Sequence, residues 1–462
     1  MAASFGPLDR ALAGRVHQPG SAGFGAACAG FDLAAIPVPA VAVAATAEDD
    51  VITAVRFAAD HDLPVAVRAT GHGPIPGVNG GLLIGTRAMS AVAVDPANRT
   101  ATIGAGVTWT PVLAACASLG LAPLCGSAPD VGAVSYTLGG GLGPLGRRYG
   151  YCADSVRLLR VVTASGEVRE VTASSEPELF WALRGGGGNF GVTTELELNL
   201  VPVSTLYGGG LFFPGEAAGD LLGAFGQCTA AAPDELSLSI AFITFPDLEP
   251  VPADLRGRFA AHLRVTYLGA PAEAEALLAP LRAVTTPLLD TVQIMPLTAI
   301  GMIHADPTRP QPVSSGSAIL PRWDQAAIDV LIGHVGATTP YMLELRHLGG
   351  ALTRPPAGGN AVGHRGARFN VFTSAYPGPG FADAAGQQAE LYRQLLPWTG
   401  GRALYNFAAA PDGHAADAGT AFDDAAMTRL RSVKAAWDPG NMFRFNVNVP
   451  PAGPRIAHTL PG

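Results

Sequence analysis

Lysine is almost absent from this chain of 462 residues, in which Lys434 is the only one. Charged residues make up 14% of the sequence, the net charge is −8, and no basic patch interleaved with aromatic residues occurs. Proteins that bind nucleic acids present such patches, so the sequence predicts no nucleic-acid partner.

Membrane-spanning runs and paired cysteines are also missing. The most apolar early run, Leu33 to Ala45, is too short to cross a bilayer and contains Pro37 and Pro39. The N-terminus lacks a basic region followed by an apolar core, and the five cysteines form no C-x-x-C pair. We therefore expect a cytoplasmic protein that has no signal peptide and does not enter a membrane.

Three frequent catalytic motifs do not occur, namely H-E-x-x-H, G-x-S-x-G and the Walker A sequence. A zinc hydrolase, a serine hydrolase and a nucleotide kinase therefore have no support, and no metal site is predicted. What the sequence does contain is 48% hydrophobic residues, which is typical of a densely packed globular protein. At this length two or three domains are expected.

A short apolar run at 63–67 predicts a buried strand, and the strand ends in a turn of unusual composition. The turn reads Arg68-Ala69-Thr70-Gly71-His72-Gly73. Its two glycines let the backbone approach a ligand, and a turn of bare N–H groups after a strand suits a pyrophosphate. The histidine between them is a packed core residue, a general base or a covalent tether for a cofactor.

Two later glycine clusters, at 139–146 and 186–191, each contain a literal G-x-G-x-x-G. Neither is a Rossmann fingerprint, because Pro144, Arg147 and Arg148 interrupt the helix expected after the first and a strand-like run follows the second. Each cluster alone could be an ordinary loop. Together with the first turn they suggest a backbone cradle for a long, phosphate-bearing ligand.

The pattern of apolar and polar residues changes near residue 205. Up to 204, short strands and helices alternate, and a capping box is predicted at 175–178. Beyond 205, alternating apolar and polar runs at 236–240, 263–267 and 342–346 lie among helix-like stretches at 271–282 and 323–333. This pattern predicts an α+β domain whose antiparallel sheet has one buried and one polar face. The last 50 residues return to a helix with Met427, Leu430, Val433 and Trp437 on one stripe.

The order of the motifs resembles one known family. Arg68, Gly71 and His72 form R-x-x-G-H, 131–143 reads V-G-x-x-x-x-x-x-G-G-G-x-G, and 189–192 reads N-F-G-V. These motifs resemble the flavin domain of the vanillyl-alcohol-oxidase superfamily, and more narrowly the berberine-bridge-enzyme-like oxidases. The tail at 430–443 is similar to the C-terminal segment of that family, and 304–307 and 363–365 are more loosely similar.

The resemblance implies a fold and a cofactor. We expect a PCMH-type FAD-binding domain of two subdomains at 1–204, an α/β substrate domain with an antiparallel sheet at 205–404, and a C-terminal segment at 405–462 that returns to the FAD domain. The expected FAD-binding residues are Arg68, Ala69, Thr70, Gly71, His72, Gly73, Asp130, Val131, Gly132, Ser135, Gly140, Gly141, Gly143, Val192, Asn446 and Asn448.

The resemblance also implies how the flavin is attached. His72 matches the histidine that bonds the 8α-methyl carbon of the flavin. Many relatives add a cysteine tether, but Ala128 occupies that position and Cys125 lies three residues too early, so we expect attachment through His72 alone. Val131 matches a position associated with oxygen access, and Ser135 stands where relatives commonly have glycine.

The usual catalytic tyrosines of the family are not in place. The segment at 421–424 has no tyrosine where relatives have Y-Y-G, and Tyr405 is shifted by one residue within Leu404-Tyr405-Asn406. A base is still needed to remove a proton from a substrate O–H or N–H. The candidates are Tyr405 foremost, then His347 and His364, with Tyr341, Asp423 and Asp424 as further possibilities.

Two functions are compatible with these residues. The preferred one is an FAD-dependent oxidase that acts on a small alcohol, amine or polycyclic secondary metabolite, passing a hydride to flavin N5 and the electrons to O₂. The alternative is a non-redox cyclase or lyase that keeps FAD as a scaffold. The missing tyrosines are what favours the alternative.

Overall fold

A computed structural model describes residues 5–73, 78–408 and 417–453. The first part of the chain forms a four-stranded sheet of order β1-β2-β4-β3, in which only β1 pairs antiparallel among the described strands. Parallel pairing arises because a helix connects β2 to β3 across one face of the sheet. The elements are α1 (Gly6–Ala11), β1 (Arg15–His17), α2 (Phe24–Cys28), β2 (Val41–Ala44), α3 (Glu48–Asp60), β3 (Val65–Arg68) and β4 (Leu82–Gly85).

A second sheet of five antiparallel strands follows, in the order β5-β6-β9-β7-β8. Its apolar face packs on the helices that separate its strands, around fully buried Trp109, Phe190 and Leu159. The elements are β5 (Val92–Asp95), β6 (Thr100–Gly104), α4 (Trp109–Ala117), α5 (Ala133–Leu138), α6 (Gly146–Tyr149), β7 (Val156–Val162), β8 (Val168–Val171), α7 (Pro177–Leu183) and β9 (Val192–Asn199).

A third, eight-stranded sheet contains every described strand from residue 205 onward, in the order β13-β10-β12-β11-β16-β17-β15 with β14 beside β10. All of its pairs are antiparallel. The elements are β10 (Thr205–Pro214), α8 (Ala218–Ala231), β11 (Leu236–Thr244), β12 (Phe259–Tyr267), α9 (Pro271–Arg282), β13 (Leu289–Asp290), β14 (Gln293–Pro296), α10 (Gly301–His304), β15 (Ser314–Leu320), α11 (Gln325–Gly333), β16 (Met342–His347), β17 (Phe369–Ala375) and α12 (Phe381–Thr399).

The two faces of the third sheet differ in chemistry because successive side chains point to opposite sides of a strand. Leu263 and Val265 of β12 and Leu343 and Leu345 of β16 pack against the helices of this part of the chain. The residues between them are polar, and these form a second face that is also buried. The alternation therefore predicted the polarity of each face correctly, but the polar face is covered by protein.

The C-terminal segment contains α13 (Ala418–Ala421) and α14 (Asp424–Trp437) and packs against the first two sheets. The ammonium of Lys434, which is 0% exposed, donates to the carbonyl of Asn189 at 2.6 Å and pairs with Asp438 at 2.6 Å. The backbone N–H of Val65 donates to the carbonyl of Met442 at 2.9 Å. The only lysine of the chain is thus a buried link between this segment and the N-F-G-V motif.

The sequence-based fold class, α+β with an antiparallel sheet in the second half, is confirmed. The predicted capping box at 175–178 is wrong, because the residue before α7 is Glu176, which has a φ of +57° and no side-chain cap. The domain boundaries at 204 and 404 remain predictions, and parts of the last segment, 409–416 and 454–462, lie outside the described residues. Among the helices in the described ranges, none is both long and apolar enough to cross a membrane.

Candidate functional site

The turn after β3 presents a row of free backbone donors. Across the described ranges, the N–H groups of Ala69, Thr70, Gly71, His72 and Gly73 donate no hydrogen bond to the protein. β3 is an edge strand, so no further strand pairs with the turn that follows it. The N–H groups of Phe31 and Asp32 donate to the carbonyls of Thr70 and Gly71, at 2.9 and 3.0 Å, and these contacts leave the N–H groups of the turn free. Successive free N–H groups in a turn form an anion site, and this one fits a pyrophosphate.

Gly71 is what allows this turn to form. Its φ is +73°, in the left-handed region, as its glycine predicts. A Cβ at this position would lie 2.7 Å from the Cα of Gly30, so the backbones of the two segments touch. A side chain at Gly71 is therefore excluded both by conformation and by space.

His72 is held in a fixed orientation beside the free N–H groups. Its ring stacks on Phe31 with centroids 4.1 Å apart, and its Nδ1 lies 2.9 Å from the hydroxyl of Thr70. Burial lowers the pKa of His72 to about 4, although Asp130 and Asp306 oppose the shift. The imidazole is therefore neutral at neutral pH, which is the nucleophilic form, and its Nε2 has no hydrogen-bond partner within the described chain.

The segment at 130–135 crosses the same turn. The N–H of Gly132 donates to the hydroxyl of Thr70 at 3.2 Å, and the exposed Ser135 hydroxyl donates to the carbonyl of Gly132. Val131 is partly buried against the core of the second sheet. These contacts place the segment that contains Asp130, Val131, Gly132 and Ser135 against the turn that contains His72, and the role of these residues in FAD binding remains a prediction.

Cys125 is not placed to react with a ligand. It is 1% exposed, burial raises the pKa of its thiol to about 12, and its carbonyl fills the space beside Gly143. Reactive cysteines need an accessible thiolate. This environment agrees with the expectation that Cys125 is no tether.

Two asparagine side chains of the C-terminal segment have buried acceptors without a partner. The amide oxygens of Asn446 and Asn448 accept no hydrogen bond from any described residue. The segment that carries them is fixed by Asn189, whose side chain donates to the carbonyl of Val447 at 3.0 Å and accepts from the N–H of Val449 at 2.9 Å. Buried acceptors are normally satisfied, so a ligand that carries a hydrogen-bond donor would fit here, and a flavin ring carries one.

The remaining predicted FAD residues mainly support the turn and its surroundings. Arg68 donates to the carbonyls of Ala27 and Cys28, and Val192 lies 1% exposed in the core between the first two sheets. A Cβ at Gly141 would lie 2.6 Å from the Tyr136 ring, and one at Gly143 would lie 1.8 Å from the Cys125 carbonyl. Close packing thus accounts for these glycines, and a backbone role of Gly140, Gly141 and Gly143 toward FAD remains a prediction.

The polar face of the third sheet carries a buried row of side chains. Arg264, Ser239, Arg346 and Asn370 are direct cross-strand neighbours on β12, β11, β16 and β17. Glu344, 1% exposed, lies within 3.0 Å of a guanidinium nitrogen of Arg264 and of one of Arg346. Although burial alone would raise it, these two cations hold the pKa of Glu344 well below its ordinary value.

A cavity lies between this row and the glycine loop of the second sheet. It is lined by Leu142, Gly143, Pro144, Arg147, Ser237, Leu238, Ser239, Arg264, Thr266, Ile303, His304, Arg346, His347 and Leu352. The Ser239 hydroxyl has no hydrogen-bond partner among the described residues, and neither does the Nδ2 of nearby Asn370. The arrangement places unused polar groups between the FAD-binding half and the sheet, where a substrate would bind.

His304, at the end of α10, lines this cavity and was not among the sequence-based candidates. Its Nε2 lies 3.6 Å from Glu344, and neither ring nitrogen makes a hydrogen bond within the described chain. Burial, together with Arg264, lowers the pKa of His304, so its imidazole is neutral at neutral pH. The sequence signal was present in the loosely similar 304–307 segment and in the charged alternation of β12 and β16.

Tyr405 lies in a 3₁₀ turn (Tyr405–Phe407) packed against the glycine loops. Its hydroxyl occupies the space that a side chain at Gly187 would take, and its ring fills the space beside Gly139. Burial raises the pKa of Tyr405, whereas a tyrosine base needs a lowered one. Its surroundings therefore argue for a packing role.

His347 and Tyr341 lie on the helix-covered face of the third sheet. His347 packs on Phe369 with ring centroids 5.6 Å apart, and its Nε2 lies 3.2 Å from a guanidinium nitrogen of Arg147. Burial lowers the pKa of His347 to about 2 and raises that of Tyr341 to about 12. Both side chains point away from the row formed by Arg264 and Arg346.

His364 has a hydrogen-bond partner within the protein, whereas Asp423 and Asp424 are exposed. The Nε2 of His364 lies 2.9 Å from the carbonyl of Thr420. Asp423 caps α14 by accepting from the N–H of Ala426 at 2.8 Å, and Asp424 is exposed in the first turn of that helix. The two aspartates could act as bases only if they were buried, and both are exposed.

Comparisons with known proteins agree with this site. Residues 39–172 match a family model described as an FAD binding domain, and residues 407–450 match one described as berberine and berberine like. The first range contains the free turn and His72, and the second contains Asn446 and Asn448. The two matched ranges are in contact, since the N–H of Val65 donates to the carbonyl of Met442.

The named relatives include an oxidase and an FAD-linked oxidoreductase. The (R)-6-hydroxynicotine oxidase of Paenarthrobacter nicotinovorans is 36% identical over 191 residues, which cover 41% of this chain and 42% of that relative. An uncharacterized FAD-linked oxidoreductase of Bacillus subtilis is 27% identical over 96% of this chain and 99% of its own length.

Solved structures extend the likeness to the whole fold. The 6-hydroxy-D-nicotine oxidase of Arthrobacter nicotinovorans superimposes with a TM-score of 0.82 and 26% identity, covering 97% of this chain and 100% of that one. The BBE-like 1 protein of Physcomitrella patens gives a TM-score of 0.83 at 20% identity and covers 98% and 100%. The two family matches show that the chain contains an FAD binding domain and a berberine-like segment, and its relatives show that it belongs among the FAD-linked oxidoreductases.

Proposed function

We propose that this protein is an oxidase that holds FAD through a single covalent bond to His72 and passes electrons from a small alcohol, amine or polycyclic secondary metabolite to O₂. The observation that carries the proposal is the neutral imidazole of His72 beside five free backbone N–H groups. The relatives that are 30% or more identical support oxidoreductase chemistry, and one of them is named for 6-hydroxynicotine oxidation.

The chemistry requires two things from the chain itself. Bound FAD would supply a two-electron acceptor, and O₂ would take up those electrons as H₂O₂. An alcohol that becomes a carbonyl loses a hydride from carbon and a proton from its O–H, so a basic group of the chain that faces the cavity must accept that proton. It must also keep water out, which the buried polar face of the third sheet is suited to do.

We assign the proton acceptor to His304. A neutral imidazole with two unused nitrogens in the cavity has the correct protonation state, and Glu344 at 3.6 Å can orient it and stabilise its charged form. Glu344 itself is a weak base because Arg264 and Arg346 stabilise its charge. Tyr405, His347 and His364 are each engaged in packing or in a contact with the protein.

The tether is tested with His72→Ala and, as control, Cys125→Ser. We expect the His72 variant to release its flavin on acid or heat denaturation, while the Cys125 variant keeps the flavin bound to protein. Mass spectrometry of the denatured proteins measures the attachment. Free flavin from wild-type protein, or a flavin-bearing peptide containing Cys125, would contradict the proposal.

Redox and non-redox chemistry are separated by mixing a substrate with the enzyme first without oxygen and then with it. An oxidase bleaches its flavin in the anaerobic step and releases H₂O₂ when air is admitted. A substrate that is rearranged with no bleaching and no H₂O₂ would show the scaffold function instead.

The base is tested with His304→Asn. The rate of anaerobic flavin reduction should fall by about 10²–10⁴-fold, the usual effect of losing a general base. Because a base acts above its pKa and that of His304 is lowered, the wild-type rate should decline only below about pH 6.5, the ordinary histidine value. Tyr405→Phe is the control and should stay within a few-fold of wild type. The reverse pattern would assign the proton to Tyr405.

A further inference from the structure

The buried row on the third sheet contains more positive than negative charge. Arg264 is 5% exposed as a side chain and Arg346 is 13% exposed, and both pair with the single carboxylate of Glu344. His304 beside them is neutral. The guanidinium of Arg346 also lies over the Phe407 ring, 5.3 Å from its centroid, but that ring carries no negative charge. Two guanidiniums facing one carboxylate therefore leave one positive charge without an anionic partner in a region of low dielectric, and such a charge is costly to bury.

No other acid of the described residues neutralises this excess through an ion pair. Asp306 is near enough to interact electrostatically with Arg346, but no ion pair joins it to either arginine. Its Oδ2 instead accepts a hydrogen bond from the Ser127 hydroxyl at 2.8 Å. Arg147 lines the same cavity and adds a further positive charge. Its guanidinium donors are used by His347 and by the backbone carbonyls of Ala232, Pro233, Leu236 and Leu348.

Arg346 keeps an unused donor group on the cavity. Its Nε and Nη2 bind Glu344, and its Nη1 donates no hydrogen bond to any residue in the described part of the chain. Its cross-strand neighbours Ser239 and Asn370 each retain an unpartnered polar atom, as does His304. Four neighbouring side chains therefore offer free hydrogen-bonding capacity around one uncompensated cation.

From this charge and geometry we infer that the substrate carries a carboxylate, which binds to Arg346 with help from Ser239 and Asn370. The free Nη1 of Arg346 can donate to a carboxylate oxygen, and such charge-assisted hydrogen bonds are stronger than neutral ones. A carboxylate would also neutralise the excess charge of the row. The inference rests on the proposed function, because it names the class of molecule that the proposed oxidase accepts.

The test compares benzoate with benzamide, two probes of similar size that differ in charge, by isothermal titration calorimetry on the purified holoenzyme. Wild-type protein should bind benzoate at least about tenfold more tightly than benzamide. The preference should weaken as salt is raised. Equal affinities for the two probes, or no binding of benzoate, would overturn the inference.

Variants locate the binding site. Arg346→Gln should remove the preference for benzoate, and Arg346→Lys, which keeps the charge but cannot bind Glu344 and the ligand through separate guanidinium nitrogens, should reduce it. Arg148→Gln is the matched control, since it removes the same charge from a half-exposed surface arginine paired with Glu235 and should leave benzoate binding unchanged. A preference that survives Arg346→Gln, or is lost equally in Arg148→Gln, would contradict the site. If Arg346→Gln does not fold, the wild-type comparison and Arg346→Lys still decide.

Calorimetry needs no turnover, so the two proposals fail separately. Absence of H₂O₂ with a correct benzoate preference would reject the oxidase and keep the carboxylate site. Production of H₂O₂ from uncharged substrates, with no preference for benzoate, would keep the oxidase and reject the carboxylate site.

Discussion

At the scale of single residues, the site is defined by which polar groups the protein leaves unused. The N–H groups of the turn at 69–73 and the amide oxygens of Asn446 and Asn448 have no protein partner in the described ranges. By contrast, Asn189 and Lys434, which lie just behind them, are fully engaged. Buried polar groups are normally satisfied, so this contrast marks where a ligand belongs.

Gly71→Val should abolish most FAD binding. A β-branched residue is poorly tolerated at a φ of +73°, and its Cβ would lie 2.7 Å from the Cα of Gly30, so the turn must move. FAD content per protein, measured by absorbance, checks this. Gly366→Val is the control, because Gly366 lies outside the turn, has no positive φ and has open space around its Cβ position, and it should keep its FAD. Normal FAD content in Gly71→Val would remove the turn from the cofactor site.

At the scale of elements, α14 is attached to the FAD-binding half by a buried ion pair. Lys434 and Asp438 are 0% and 1% exposed, and Asp438 also accepts from the N–H groups of Met442 and Phe443 at 2.7 and 2.9 Å. The aspartate thus turns the chain at the end of the helix, and the lysine joins that turn to Asn189. Asn446 and Asn448 follow directly, so their position depends on this contact.

Lys434→Met should lower the free energy of unfolding by about 3–5 kcal/mol, because it leaves Asp438 charged, buried and unpaired. Chemical denaturation followed by far-UV circular dichroism measures the change. Arg431→Met in the same helix is the control, since Arg431 is exposed, and it should change stability by less than about 0.5 kcal/mol. Equal stability of the two variants would show that the ion pair contributes nothing.

At the scale of the whole molecule, the third sheet is fastened to the FAD-binding half by Arg147 of α6. This side chain is 4% exposed and donates to the carbonyls of Leu236 at 2.7 Å and of Ala232 and Pro233 at 3.1 Å. These carbonyls belong to the connection between α8 and β11 and to the start of β11. The cavity beside Arg264 and Arg346 depends on this joint.

Arg147→Met should loosen the joint between the sheet and the FAD-binding half. Several buried carbonyls would lose a charged donor, each at a cost of about 1–3 kcal/mol before relaxation. We expect faster limited proteolysis near 232–236 and a lower melting temperature. The neighbouring Arg148→Met removes a half-exposed arginine and should leave both measurements close to wild type. Unchanged proteolysis in Arg147→Met would show that other contacts hold the two parts together.

The sequence by itself determined the local features of this protein. The apolar run at 63–67 predicted a strand that ends in a glycine-containing turn, and the alternation at 236–240, 263–267 and 342–346 predicted strands with one apolar and one polar face. Both follow from short-range sterics and from the period of a strand, which neighbouring residues specify. The order of the glycine and histidine motifs was also sufficient to indicate the family.

Only the tertiary structure decided which side chains share the cavity. His347 and Arg346 lie on opposite faces of β16, yet both line the cavity, and Arg264 joins them although β11 separates its strand from β16. Tyr405 follows the predicted domain boundary at 404 and was therefore expected near the flavin. Its ring and hydroxyl instead pack closely against Gly139 and Gly187. Such outcomes depend on strand order and on contacts between residues about 80 to 270 positions apart, and local sequence patterns do not encode them.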